Sequence, residues 1–184
     1  MTRSAAAGTQ TSTVVRPDRP GLASLVRQIQ SCTRQGADAA TTARLVADVL
    51  EQASPTVDLL TAEERAGDPD DYIRHTLYTE SAFSVLAVVW RPGQVTEIHD
   101  HLVWCSFMVL QGGETETLYD IDGDRLVQVG RRHRPTGSVS GVAPPDDIHQ
   151  VENTGDAVAI TLHVYGADLS DGTSVRRTYT LRDD

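Results

Sequence analysis

The hydrophobic positions along the chain change period once, near residue 72. Leu22, Leu25, Val26 and Ile29 repeat at the spacing of one helical face, and Gly36 supplies a stop. Leu45, Val46, Val49 and Leu50 mark a second helix that ends at Ser54-Pro55. A short helix or turn over 61–65 leads to the loop Asp68-Pro69-Asp70-Asp71. From Tyr72 the apolar runs become short and strand-like. Stretches 83–90 and 104–110 are nearly continuous, whereas 114–121 alternates. The turn Asp122-Gly123-Asp124 folds that strand back onto 125–129. Further strands are predicted at 138–142, 148–152, 158–165 and 175–181. Short strands punctuated by Gly, Pro and Asp predict a mainly β sandwich or barrel, capped by the N-terminal helices. Residues 1–20, rich in Ala, Ser and Thr, read as a flexible or draped arm. That leaves 21–184 as one domain, with a helical segment over about 21–70 and a barrel over about 72–182.

Charge narrows the partners. Sixteen Lys and Arg against 26 acidic residues give a net charge of −10 over 184 residues. Binding to nucleic acid or to an anionic membrane relies on basic surface, so neither is expected. No apolar run reaches spanning length and residues 1–20 lack a signal-peptide core, so a soluble cytoplasmic protein is expected. The two cysteines, Cys32 and Cys105, form no secreted disulfide framework. Cys32 reads as a small buried hydrophobe.

Histidines carry the candidate chemistry. His99 and His101 stand two apart on a strand-like stretch, so both point to one face. An adjacent strand could add His149. Three neutral imidazoles with open positions suit iron, zinc, copper or nickel. The spacing Gly93-x5-His99-x-His101-x3-Cys105-x6-Gly112 resembles the first motif of the cupin superfamily. Pro144-x-Asp146-x-x-His149-x-x-x-Asn153 resembles its second motif, with Asp146 where glycine is usual. Cys105 stands where most cupins place a glutamate ligand. A site with three histidines and no carboxylate is more positive, and a thiolate substrate could supply the missing anion.

Beyond the cupin spacing, Trp90-Arg91-Pro92-Gly93-Gln94 through Gly112 resembles the thiol dioxygenases, the cysteine dioxygenase type above all. Asp147 to Asn153 and Ile160 to Gly166 extend the resemblance, which covers roughly 72–180. It implies a cupin β-barrel with N-terminal helices and Fe(2+) held by His99, His101 and His149. It further implies that cysteine binds through thiolate and amine, and that both atoms of O2 pass to sulfur. The product would be the sulfinic acid, the second rung of thiol oxidation. Arg74, within Tyr72-Ile73-Arg74-His75, matches the arginine that pairs with the substrate carboxylate, a task suited to a guanidinium fork. Thr161, His163 and Tyr165 alternate along one strand and match a Ser-His-Tyr relay, with Thr161 replacing serine. Cys105 and Tyr165 match the pair that forms a thioether in animal members of the family. Cys105 otherwise reads as a buried thiol that fills space.

Three further readings follow from the same residues. Arg177, in Val175-Arg176-Arg177, resembles the carboxylate-binding arginine of thiol dioxygenases acting on 3-mercaptopropionate. A non-catalytic metal-binding cupin and a zinc hydrolase are the readings from other classes, the hydrolase lacking an obvious general base. Of the remaining candidates, His75 and His133 have no partner at ligand spacing, and Asp100 should face away from His99 and His101. Trp104 fits either the pocket wall or the core. Arg131-Arg132-His133-Arg134 reads as a solvated basic loop.

Overall fold

A computed structural model describes residues 10–11, 19–145, 147–170 and 172–181. Two helices precede most of the strands: α1 (Leu22–Thr33) and α2 (Ala39–Ala53). Leu22, Leu25, Val26, Ile29 and Cys32 are the buried stripe of α1. In α2 the buried positions are Thr42, Ala43, Val46, Ala47 and Leu50, so the face is rotated from the expected one and Leu45 and Val49 sit at its edge. Small side chains explain the rotation. Ala43 lets the helix backbone lie close on the sheet, where its carbonyl accepts from Ser106 Oγ at 2.7 Å. A Cβ on Gly141 would meet that carbonyl oxygen at 2.5 Å, so only glycine fits there. Asp38 caps α2 by accepting from Thr41 N at 2.8 Å, and Ser54 at φ 42° ends it just before Pro55.

Among the described residues there are eleven strands, most of them in the half where the pattern places them. They are β1 (Gln10–Thr11), β2 (Ile73–Glu80), β3 (Phe83–Trp90), β4 (Ile98–His101), β5 (Cys105–Gln111), β6 (Gly113–Asp122), β7 (Arg125–Pro135), β8 (Val139–Val142), β9 (His149–Glu152), β10 (Ala159–Tyr165) and β11 (Val175–Tyr179). One sheet has the order β1-β2-β3-β10-β5-β8 and the other β11-β4-β9-β6-β7. All neighbours pair antiparallel except β1 with β2. The result is the expected mainly β barrel of two sheets, with helices against one of them.

β3 and β10 are buried at every position because one face meets the helices and the other the barrel interior. Phe83, Val85, Ala87 and Val89 join Leu50, Leu59, Ile160 and Leu162 on the helix side. Each large side chain buried there contributes about 1.5–3 kcal/mol. β2 was absent from the pattern-based strands. Its inward positions include Arg74 and its burial is only partial, which hides the alternation. β7 runs six residues past the expected 129, to Pro135.

Where it is described, the N-terminal arm lies against the barrel. Gln10 and Thr11 pair with Arg74 and His75 of β2, and Arg19 is 7 % exposed. Arg19 grips Glu64 through two hydrogen bonds of 2.9 and 2.8 Å and also donates to Leu59 O. The rest of the expected arm, residues 1–9 and 12–18, lies outside the described residues. No helix among the described residues is long and apolar enough to cross a membrane.

Candidate metal centre

β4 delivers the first two histidines. Alternation along the strand turns His99 and His101 into the barrel and sends Asp100 to the opposite face. β9 lies directly beside β4, with His149 the register partner of His99. The three rings converge, with centroids 5.0, 4.7 and 5.1 Å apart, and one ligand atom from each lies within 4.8 Å of the others.

Every ring is held from behind. Nδ1 of His101 lies 3.0 Å from Asp147 Oδ2, Nδ1 of His149 is 3.1 Å from Glu116 Oε1, and Nδ1 of His99 is 2.9 Å from the Glu97 carbonyl. A carbonyl and an ionised carboxylate accept only, so each Nδ1 carries the proton and each Nε2 turns its lone pair inward. Burial, with the neighbouring His149 and His101, drops the His99 pKa to about 3, and burial lowers that of His101 too. Neutral imidazoles aimed at one point, with acceptors fixing the tautomer, are what a divalent metal requires. Nε2 of His149 is buried and has no hydrogen-bond partner among the described residues, so the donor set fits a metal.

The supporting carboxylates escaped sequence reasoning. Burial alone would raise the Glu116 pKa, but hydrogen bonds from His149 and Arg134 hold it at about 2. Arg134 donates to Glu116 Oε2 through Nε at 3.2 Å and Nη2 at 2.8 Å. The expected solvated loop at 131–134 is therefore part of β7, and its last arginine faces inward. Burial pushes the Asp147 carboxyl upward too, yet its hydrogen bonds with His101 keep it below the usual range. Asp147 stands two residues before His149, and Glu114 and Glu116 alternate just after Gly112. Strand alternation at those positions was the available signal.

A cavity of about 370 Å³ surrounds the histidines. Arg74 from β2, Cys105 from β5 and His163 and Tyr165 from β10 line it. Burial drops the His163 pKa to about 3, so the ring is neutral. Its Nε2 lies 2.9 Å from Thr161 Oγ1, and its Nδ1 lies 3.3 Å from the Tyr165 hydroxyl. Trp90 Nε1, a donor only, gives its proton to Thr161 Oγ1 at 3.0 Å. The Thr161 hydroxyl can then donate to His163 Nε2, the tautomer in which His163 Nδ1–H donates to the Tyr165 oxygen. Burial raises the Tyr165 hydroxyl and the Cys105 thiol well above their usual ranges, so both are protonated.

Other candidates fall outside the cavity. Arg177 is exposed, is the register partner of Asp100, and lines a cleft on the outer face of the barrel. From β11 it is Val175 and Thr178, the register partners of His101 and His99, that reach the cavity. Asp100 is fully buried and accepts from Arg176 Nε at 3.0 Å and Tyr179 hydroxyl at 2.7 Å, tying β11 to β4. Trp104 belongs to the main core, where a Cβ on Gly166 would strike its Nε1 at 2.1 Å. His75 is buried by packing on β2, and His133 is exposed.

The family model described as cysteine dioxygenase type I matches residues 10–176. A conserved protein with a double-stranded β-helix domain from Klebsiella pneumoniae is similar, at 16% identity and TM-score 0.49, over 64% of this chain and 96% of that one. A cupin superfamily protein from Desulfitobacterium hafniense is similar at 15% identity and TM-score 0.45, over 60% and 85% of the two chains.

Proposed function

Because the chain belongs to the cysteine dioxygenase type I family, we propose that it oxidises L-cysteine to cysteine sulfinic acid with O2 and iron(II). Family membership itself implies a metal-dependent thiol dioxygenase activity. The observation that carries cysteine as substrate is Arg74 on the wall of the cavity that His99, His101 and His149 also line, with Arg177 on the outside of the barrel.

Iron(II) bound by the three inward nitrogens would supply the redox chemistry that carries both oxygen atoms of O2 to sulfur. The protein's part is to bind and orient. Arg74 offers a planar fork that takes the cysteine carboxylate bidentately and fixes the thiol's direction. The chain Trp90–Thr161–His163–Tyr165 sends each proton toward Tyr165, whose own hydroxyl hydrogen is then available to Cys105 or to an oxygen atom in the cavity. Leu86, Cys105 and Leu169 pack with the Tyr165 side chain, while Val88, Trp90 and Val151 give the cavity a second apolar wall. Cys105 leaves the centre without a carboxylate ligand, so an anionic thiolate would balance its charge.

The test is anaerobic iron(II) loading followed by O2 uptake over cysteine, 3-mercaptopropionate, cysteamine and mercaptosuccinate. Cysteine is expected to give the highest kcat/KM. No uptake with any of the four would overturn the reading.

A further inference from the structure

β6 turns two carboxyl groups into the barrel, and of these only Glu116 has a side-chain hydrogen bond among the described residues. Glu116 is saturated by His149 and Arg134. Glu114, two residues earlier on the same face, is 2 % exposed and lines the same cavity. Its Oε2 has no hydrogen-bond partner among the described residues. The nearby cation is already used: Arg134 bonds Glu116 through Nε and Nη2 and lies over the Phe107 ring at 5.7 Å. Burial, reinforced by Glu116 and opposed by Arg134, pushes the Glu114 pKa up to about 8.

A buried carboxyl without a partner costs stability, and a leucine of similar size would fill the space without that cost. Such a group makes sense when its partner arrives with the ligand. The cavity already offers Arg74 for an anion and three imidazoles around the metal position. What it lacks is a partner for an acceptor oxygen.

We infer that Glu114 is a specificity residue that accepts N–H bonds from the amino group of the thiol substrate, while Arg74 holds its carboxylate. The inference rests on the thiol reading above and narrows it to aminothiol acids. An amine keeps N–H donors for Glu114 even when its lone pair is engaged elsewhere. A mercapto acid without the amine leaves Oε2 unpaired, and a site built around a hydrogen bond rejects the analogue that lacks it.

The experiment compares L-cysteine with 3-mercaptopropionate, which differ by the amino group. Binding to the iron(II)-loaded protein is measured anaerobically by calorimetry for wild type, E114Q and E114L. E114L should weaken cysteine about tenfold or more. Its affinity for 3-mercaptopropionate should stay within about twofold, so the ratio of the two collapses. E114Q keeps the side-chain shape and should weaken cysteine by an intermediate factor, which preserves the test if E114L folds poorly. Equal weakening of both thiols, or unchanged cysteine binding, overturns the inference. O2 uptake is scored separately. Selective cysteine binding that depends on Glu114 but brings no O2 uptake would sink the dioxygenase reading alone. Uptake that is indifferent to both variants, with unchanged binding, would sink the Glu114 role alone.

Discussion

Cys105 and Tyr165 are register partners across the β5–β10 pair, and His163 Nδ1 lies 3.8 Å from the sulfur and 3.3 Å from the hydroxyl. Both side chains are buried on the cavity wall, and each influences the other's acidity. The pairing follows from strand register, which no sequence spacing states.

This proximity predicts a thioether. A bond would form between Cys105 Sγ and the ring carbon beside the Tyr165 hydroxyl; the S–H and C–H bonds would break, and O2 would take the two protons and two electrons and leave as hydrogen peroxide. Peptide mapping after turnover with cysteine and O2 should reveal joined peptides lighter by two hydrogens, absent in C105S. Unmodified peptides from fully active protein would exclude it.

Arg74→Gln should lower kcat/KM for cysteine by about 10–100-fold, the value of a charge-assisted bidentate contact. Arg177→Gln, on the outer face of the barrel, should leave it within about twofold. Steady-state O2 uptake of the two variants side by side checks both. The reverse order would transfer carboxylate recognition to β11.

Removing the groups behind the imidazoles should loosen the metal. Glu116→Gln and Asp147→Asn each free a ring to turn and lower its basicity, so metal affinity should fall about 10–100-fold. Competition with a chelator measures this. Affinity unchanged in both variants would mean that the rings are held by packing alone.

Glu114 also predicts a pH dependence of stability. Its folded pKa of about 8 lies above the ordinary 4.5, so between these values the native state holds one proton more than the unfolded chain. Its stabilising share is complete below pH 4.5 and is lost as pH rises through about 8, with a slope of at most about 1.4 kcal/mol per pH unit. Glu116, Arg134 and Cys105 are the charged and titratable groups acting with it. Urea melts of metal-free wild type and E114Q across pH 5–9 should diverge over that window, the variant being the flatter. Parallel curves would mean that the carboxyl is ionised in the folded protein.

Much of the fold is legible without coordinates because periodicity is local. The helical stripe of Leu22, Leu25, Val26 and Ile29 and the continuous run of β3 announce themselves. β2 does not, since a strand that turns Arg74 toward a cavity breaks the alternation by which strands are recognised. The rotated face of α2 was hidden for a related reason: close packing of Ala43 against Gly141 outweighs the burial of larger side chains at Leu45 and Val49.

The candidate site divides along the same line. His99, His101 and His149 could be nominated from spacing, because two residues apart on a strand means one face and the motif fixes the third. The family resemblance needs more of the chain, from Trp90 to Gly112, Asp147 to Asn153 and Ile160 to Gly166. Pairings between distant segments depend on sheet register and on what burial does to charge, so only the folded chain sets them. It puts Arg177 outside and Arg74 inside, links Arg134 through Glu116 to His149, and leaves Glu114 facing the cavity with an unmatched oxygen. A carboxyl in the sequence is only an acidic residue; enclosed in the barrel beside Glu116, it becomes a group that holds its proton near neutral pH.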